Sequence, residues 1–225
     1  MRGVCGRDRD LMGNKEGDPL ESGLKKIVFA SRNRGKIKEI QALLTDSGVT
    51  LHSLEDYPDL PEIKEDGKSF LENALKKART IAELTGEVVL ADDSGLEVEA
   101  LHGAPGIYSA RYAGEEGDDG KNILKLLNDL RGVPSAGREA VFRCILVLCR
   151  PDGRYQAFDG NWKGRITEAR AGQGGFGYDP VFYLPERGIT VAELPAEIKN
   201  RISHRANAAA KLKVWLEKGI LENGA

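Results

Sequence analysis

The sequence has little cysteine, three residues in 225. Cys144 and Cys149 stand five apart in one strand-like run, so they should face opposite sides and read as neither a disulfide framework nor a zinc site. A disulfide-stapled secreted scaffold is thereby excluded, and a reducing cytoplasm is the expected compartment. No apolar run approaches the roughly 20 residues a bilayer span needs, and no signal-peptide core precedes a cleavage site. A basic excess is also missing. The 33 Lys and Arg stand against 35 Asp and Glu, leaving a net charge of -2. No global field therefore draws the chain onto nucleic acid or a membrane, and neither is an expected partner. A nucleotide would have to be held by local cations. There is no Walker A loop, no RNP-type aromatic pattern, no internal repeat, and no Cys or Ser nucleophile beside an obvious base.

What is present is a globular composition, 40% hydrophobic and 30% charged, with length for a sizeable core. Residues 1–24 are polar, Gly-rich and without periodicity, which predicts a flexible extension ahead of a folded domain over 25–225. Lys25 to Ala30 reads as a strand, Lys36 to Leu44 as a helix, "VTLHS" as a second strand and Asp56 to Gly67 as a loop. Ser69 opens a long helix with Glu72 as its capping-box partner, and Gly86 follows near its end. A strand from Val88 to Ala91 then leads into Asp92 and Asp93. Another helix spans Asn122 to Leu130, and "AVFRCILVLC" is a buried strand returned by the Pro151-Asp152-Gly153 turn. Residues Ala171 to Pro180 form a Gly-rich loop, followed by helices over Ala192–Arg201 and Ala206–Lys218. Strands alternating with helices early and a hairpin later predict an α/β protein with a mixed sheet.

Four stretches could carry chemistry. In "VVLADDSGLEV", Asp-Ser-Gly is ordinary turn chemistry; the sharper reading is a metal or general-base site at the paired carboxylates. "FASRNRGKIKEI" sets Ser31, Arg32, Asn33, Arg34, Gly35 and Lys36 between a strand and a helix, where free N–H groups and the helix dipole attract phosphate. Its bland reading is a solvated turn. "GQGGFGYDPVF" places Phe176, Gly177, Tyr178 and Asp179 in a loop whose glycines let backbone approach a ligand, with an aromatic ring for a base to stack on. "EIKNRISHRANAAAKL" offers Lys199, His204 and Arg205, donors suited to a purine edge, although Ser203 could be a plain N-cap. Asn73 and Lys77 are i, i+4 neighbours, ordinarily solvated; they matter only if their helix face looks toward the Ser31–Lys36 turn.

In this order, "ASRNRGKIKEI", "SFLENALKKA", "ADDSGLEVEALHGAPGIYSARYAG", "GGFGYDPVF" and "SHRANAAAKL" resemble the inosine triphosphate pyrophosphatase family, from about Lys25 to the C-terminal helix. The family usually has Thr where this chain has Ser31, which retains the hydroxyl. The resemblance implies an ITPase-like (Maf/Ham1-type) elongated mixed β-sheet with flanking helices, its two lobes around a central cleft. It implies hydrolysis of ITP, dITP and XTP to the monophosphate and pyrophosphate, with Mg²⁺, by a cytoplasmic homodimer. Ser31, Asn33 and Lys36 would hold the triphosphate, helped by Lys77. Phe176 would stack on the base, and Tyr178, Asp179, Lys199, His204 and Arg205 would complete the nucleoside pocket. Asp93 would be the catalytic carboxylate and a metal ligand, with Ser94 beside it on the substrate. An acid from the preceding loop would join the metal, Glu65 by choice, with Glu62 and Asp66 as alternatives. Maf-like pyrophosphatases, a silent nucleotide sensor and an RNA-binding module are the rival readings. The "SHR" and "GGFGYDP" runs, the presence of Asp93 and the lack of a basic excess argue against them in turn.

Overall fold

Two crossovers at the start of the chain decide where a ligand can sit. In the computed structural model, which describes residues 26–114 and 117–222, strand β1 (Lys26–Phe29) passes through helix α1 (Arg34–Leu44) to strand β2 (Thr50–Ser53). Helix α2 (Phe70–Thr85) then leads to strand β3 (Val89–Val98). Both β2 and β3 pair parallel to β1, on opposite sides of it. Chain directions therefore diverge at β1, the arrangement that opens a crevice beyond the carboxyl ends of parallel strands. The expected extension over residues 1–24 lies outside the described residues.

The rest of the sheet is antiparallel. Strands β4 (Glu139–Cys149), β5 (Tyr155–Ile166), β6 (Phe182–Leu184) and β7 (Ile189–Thr190) complete a seven-stranded sheet in the order β2-β1-β3-β4-β5-β6-β7. Helices α3 (Asp119–Asp129), α4 (Ala196–Ile202) and α5 (His204–Glu222) flank it. The α/β class with a mixed sheet stands as read. The largest difference is at the aspartate pair. β3 does not stop at Ala91 but runs on through Asp92-Asp93-Ser94-Gly95 to Val98, paired with β4 along its whole length. Backbone bonding to a neighbouring strand overrides the local turn preference of Asp-Ser-Gly.

Alternation along β3 gives the sheet two chemically separate faces. Leu90 packs with Phe29, Ile40, Leu44, Cys144 and Leu212 under α1 and α5. Val89 and Ala91 pack with Ala74, Ala78, Ile81 and Cys149 under α2. The two cysteines therefore do lie on opposite faces. A third apolar cluster around Leu96, Ile123, Phe142 and Phe182 forms the other lobe. Ser69 caps α2 by accepting from the Glu72 N–H at 3.1 Å. Glu72 reaches the Lys68 N–H at 2.7 Å instead of closing the box on Ser69. Gly86 ends the helix at φ +67°.

Candidate active site

Because β3 stays extended, Asp92 and Asp93 point to opposite faces of the sheet, and each meets a different set of helices. Asp92 follows Leu90 onto the α1/α5 face, where it is fully buried. Its carboxylate accepts from Arg205 Nε at 2.8 Å and Ser94 Oγ at 2.9 Å, and pairs with Lys36 Nζ at 2.6 Å. The Cys144 thiol also donates to it, at 3.4 Å. Burial alone would raise its pKa. Arg205 and Lys36 outweigh that and hold it well below the usual carboxylate range. Asp92 is thus a fixed anion that places two cations.

Asp93 follows Ala91 onto the α2 face and lines a cleft of about 290 Å³. It is 4% exposed, and its Oδ2 is buried without a hydrogen-bond partner. Burial, with a further push from Glu65, raises its pKa to about 6, despite Lys77 and Lys36 pulling the other way. Lys77 Nζ donates to Glu65 Oε1 at 2.9 Å and to the Asp92 carbonyl at 2.7 Å, and lies 3.8 Å from Asp93 Oδ1. Burial favours the neutral form of Glu65, but Lys77, with Lys36 and Arg111, keeps its pKa below the ordinary value. Of the three loop acids, Glu62 and Glu65 line the cleft, while Asp66 is turned outward onto Lys76.

One wall of the cleft is the β1–α1 turn. Asn33 caps α1 by accepting from the Lys36 N–H at 3.0 Å, and Ser31 Oγ accepts from the Asn33 N–H at 3.2 Å. No acidic residue stands in the first turn of α1, so its positive end is left for an anion. Ser31, Arg32, Asn33 and Lys36 line the cleft; Arg34 and Gly35 do not. Arg34 is exposed. Gly35 lies beneath Phe176, where an added Cβ would come within 2.6 Å of the ring.

Beside this turn the cleft is lined by Phe176, Gly177, Tyr178 and Asp179 together with Lys199, His204 and Arg205. The Asp179 carboxylate accepts the Phe176 N–H at 2.9 Å and pairs with Lys199. Gly175 is required there: it sits at φ +73°, and a Cβ would meet Asp179 Oδ2 at 2.0 Å. The Lys199 ammonium lies 4.6 Å from the Phe176 ring centroid, and the Arg205 guanidinium 5.8 Å. Arg205 is less free than its place in the motif suggests: Nε, Nη1 and Nη2 donate to Asp92, Glu39 and Ser94. His204 stacks on Phe142 at 4.8 Å, with Nδ1 buried and unpartnered. Burial, reinforced by Arg205 and Lys199, pushes its pKa well down and keeps the ring neutral. Tyr178 donates to the Ser109 carbonyl at 2.8 Å, so its hydroxyl braces the loop.

Asn73 and Lys77 are buried on the cleft side of α2, not solvated. Three site residues escaped the sequence reading. Glu39 joins Lys199 at 2.8 Å to Arg205, and its position one turn after Lys36 was the available signal. Asp119 accepts the Gly177 N–H at 2.7 Å from the start of α3, which begins three residues ahead of the expected Asn122. Arg111 donates to the Glu65 carbonyl at 2.8 Å. Their partners are distant in sequence, which local patterns do not reveal.

The chain is similar in sequence and fold to known proteins. The Ham1 family model matches residues 27–215. A dITP/XTP pyrophosphatase of Geobacter sulfurreducens is 54% identical over 190 residues, covering 84% of this chain and 96% of that protein. One from Geobacillus kaustophilus is 51% identical over 195 residues, covering 86% and 96%. Among solved structures, the Ham1 protein of Staphylococcus aureus superposes with a TM-score of 0.77 at 44% identity, covering 86% of this chain and 99% of that one. The nucleoside-triphosphatase, or dITP/XTP pyrophosphatase, of Mycobacterium abscessus gives 0.69 at 45% identity, covering 83% and 97%.

Proposed function

The chain belongs to the Ham1 family, and from that we propose that it hydrolyses the noncanonical purine nucleoside triphosphates dITP, ITP and XTP to the monophosphate and pyrophosphate. Such an activity removes them from the nucleotide pool before incorporation into DNA or RNA. The observation that carries the reading is Asp93: a buried carboxylate with one unpartnered oxygen, in a cleft lined by a cationic helix start and by the aromatic ring packed on it.

The reaction needs a general base near neutrality, and a carboxylate whose pKa is about 6 suits it. Asp93 takes the proton of the attacking water at Oδ2. The α1 N-terminus, Asn33, Lys36 and Lys77 receive the triphosphate and stabilise the charge gathering on the pyrophosphate. A divalent cation fits the donors present, because Glu65 and Asp93 offer hard oxygens and one of these lacks a partner. Among the described residues no cluster of three or more His, Cys, Asp or Glu could hold a metal alone, so substrate oxygens would complete the shell. We infer Mg²⁺, which when bound supplies charge neutralisation and a more acidic water.

Phe176, with one side against α1, offers its ring for the base to stack on. Lys199 can only donate, so it suits the six-keto group of inosine and xanthosine and meets the six-amino group of adenine donor to donor. A neutral His204 could donate or accept according to tautomer, so rejection of adenine rests on Lys199 more than on His204. Among the described residues no helix is long and apolar enough to cross a membrane. We place the enzyme in the cytoplasm with its nucleotide pool, acting as a homodimer as the family resemblance implies; light scattering checks the latter.

The test is pyrophosphate release from ITP, dITP, XTP, GTP and ATP, with and without Mg²⁺, for wild type and Asp93→Asn. Metal-dependent release from the first three, lost in the variant, is the expected result. Equal turnover of all five would sink the selectivity, and activity surviving in Asp93→Asn would sink the base.

A further inference from the structure

The Lys77 ammonium stands among three oxygens: Glu65 Oε1 at 2.9 Å, the Asp92 carbonyl at 2.7 Å and Asp93 Oδ1 at 3.8 Å. Two carboxylates and a carbonyl make the kind of all-oxygen surrounding that a hard divalent cation takes. A lysine usually meets one carboxylate at a surface; here it is 8% exposed and shared between two. Lys36 adds a second positive charge to the same cleft.

We propose that Lys77 is the resident counter-ion of the Glu65–Asp93 pair, keeping a bare divalent cation out until a triphosphate draws its ammonium away. The idea rests on the pyrophosphatase reading and deepens it. With Lys77 in place, the two carboxylates carry a net charge of one minus rather than two, and an entering dication meets an ammonium within a few ångströms. A triphosphate reverses both conditions, since its oxygens accept the ammonium and its charge offsets the dication. The metal therefore arrives with the nucleotide, and the metal–nucleotide complex is the species that binds.

The test needs no turnover: Mn²⁺ alone is titrated into nucleotide-free protein by calorimetry. Lys77→Met and Lys77→Gln should each bind Mn²⁺ roughly tenfold or more tighter than wild type, because a unit charge beside the ion is removed. Two neutral variants are used so that poor folding of one leaves the other. Lys77→Arg, which keeps the charge, should stay as weak as wild type. Lys76→Met should also stay weak, since Lys76 pairs outward with Asp66 at 2.5 Å. Neutral variants no tighter than wild type would overturn the proposal, as would equal tightening in Lys76→Met, which would reduce it to overall charge. Absence of pyrophosphate release from wild type would sink the pyrophosphatase reading alone, because the metal titration uses no substrate.

Discussion

Asp93 shows what a buried carboxylate, the base proposed for this cleft, costs the fold. Its pKa rises from 3.8 to about 6 on folding, so at neutral pH the native state holds an ion that the unfolded chain accommodates more comfortably. That rise corresponds to about 3 kcal/mol. Asp93→Asn should therefore abolish pyrophosphate release and yet stabilise the metal-free protein by up to about 3 kcal/mol at pH 7.5. Urea unfolding in EDTA measures the second effect, and an unchanged or lower midpoint would refute it. Asp92, its neighbour in the chain, is the reverse case, an anion matched by Arg205 and Lys36. That the two aspartates face opposite sides of the sheet was legible from period-two alternation, provided the strand continued. That it does continue was not legible, because the strand owes its persistence to β4, about fifty residues downstream.

Among the elements, the start of α2 was legible to the residue, α1, α3, α4 and α5 begin two to four residues from their expected positions, and the helix faces were less legible still. Asn33 and Ser69 are visible as caps because their partners lie within three residues. Asn73 and Lys77 look like solvated surface because their partners come from the loop before α2 and from β3. Glu39 is still harder to see, since it meets Arg205 at a separation of 166 positions. The contact between α1 and the Gly-rich loop makes an element-scale test. Gly35 is in the first turn of α1, with Phe176 lying where its Cβ would be. Gly35→Ala suits the helix itself, since Ala is the better helix former. It must, however, displace the ring. The expected outcome is an unchanged or slightly higher melting temperature and a KM for ITP raised roughly two- to tenfold, the range for losing one aromatic contact, with kcat little altered. A large fall in kcat with KM unchanged would instead place Phe176 outside base binding.

Across the whole molecule, the two buried groups His204 and Asp93 titrate in opposite senses, and their contributions to the fold's acid response oppose. His204 is held neutral by burial and by Arg205 and Lys199, so its folded pKa lies well below the ordinary 6.5. The unfolded chain takes up that proton first. Stability is therefore lost as pH falls below about 6.5, by at most about 1.4 kcal/mol per pH unit. Asp93 works the other way. Its folded form binds a proton near pH 6 while the unfolded form waits until about 3.9, so acidification between those values restores stability. Asp92 stays ionised throughout this window because its folded pKa lies well below the carboxylate range, and its contribution is lost only at lower pH. In metal-free wild type the first two slopes oppose, and stability should fall less with acidification below pH 6 than it would from His204 alone. Asp93→Asn removes one of them. The variant that begins more stable at pH 7.5 should then lose stability more steeply than wild type below pH 6.5, while Asp93→Asn combined with His204→Gln should lose less. Denaturant midpoints for the three proteins at half-unit pH intervals decide it. A wild type as acid-labile as the single variant would show that Asp93 and His204 do not oppose each other in this fold.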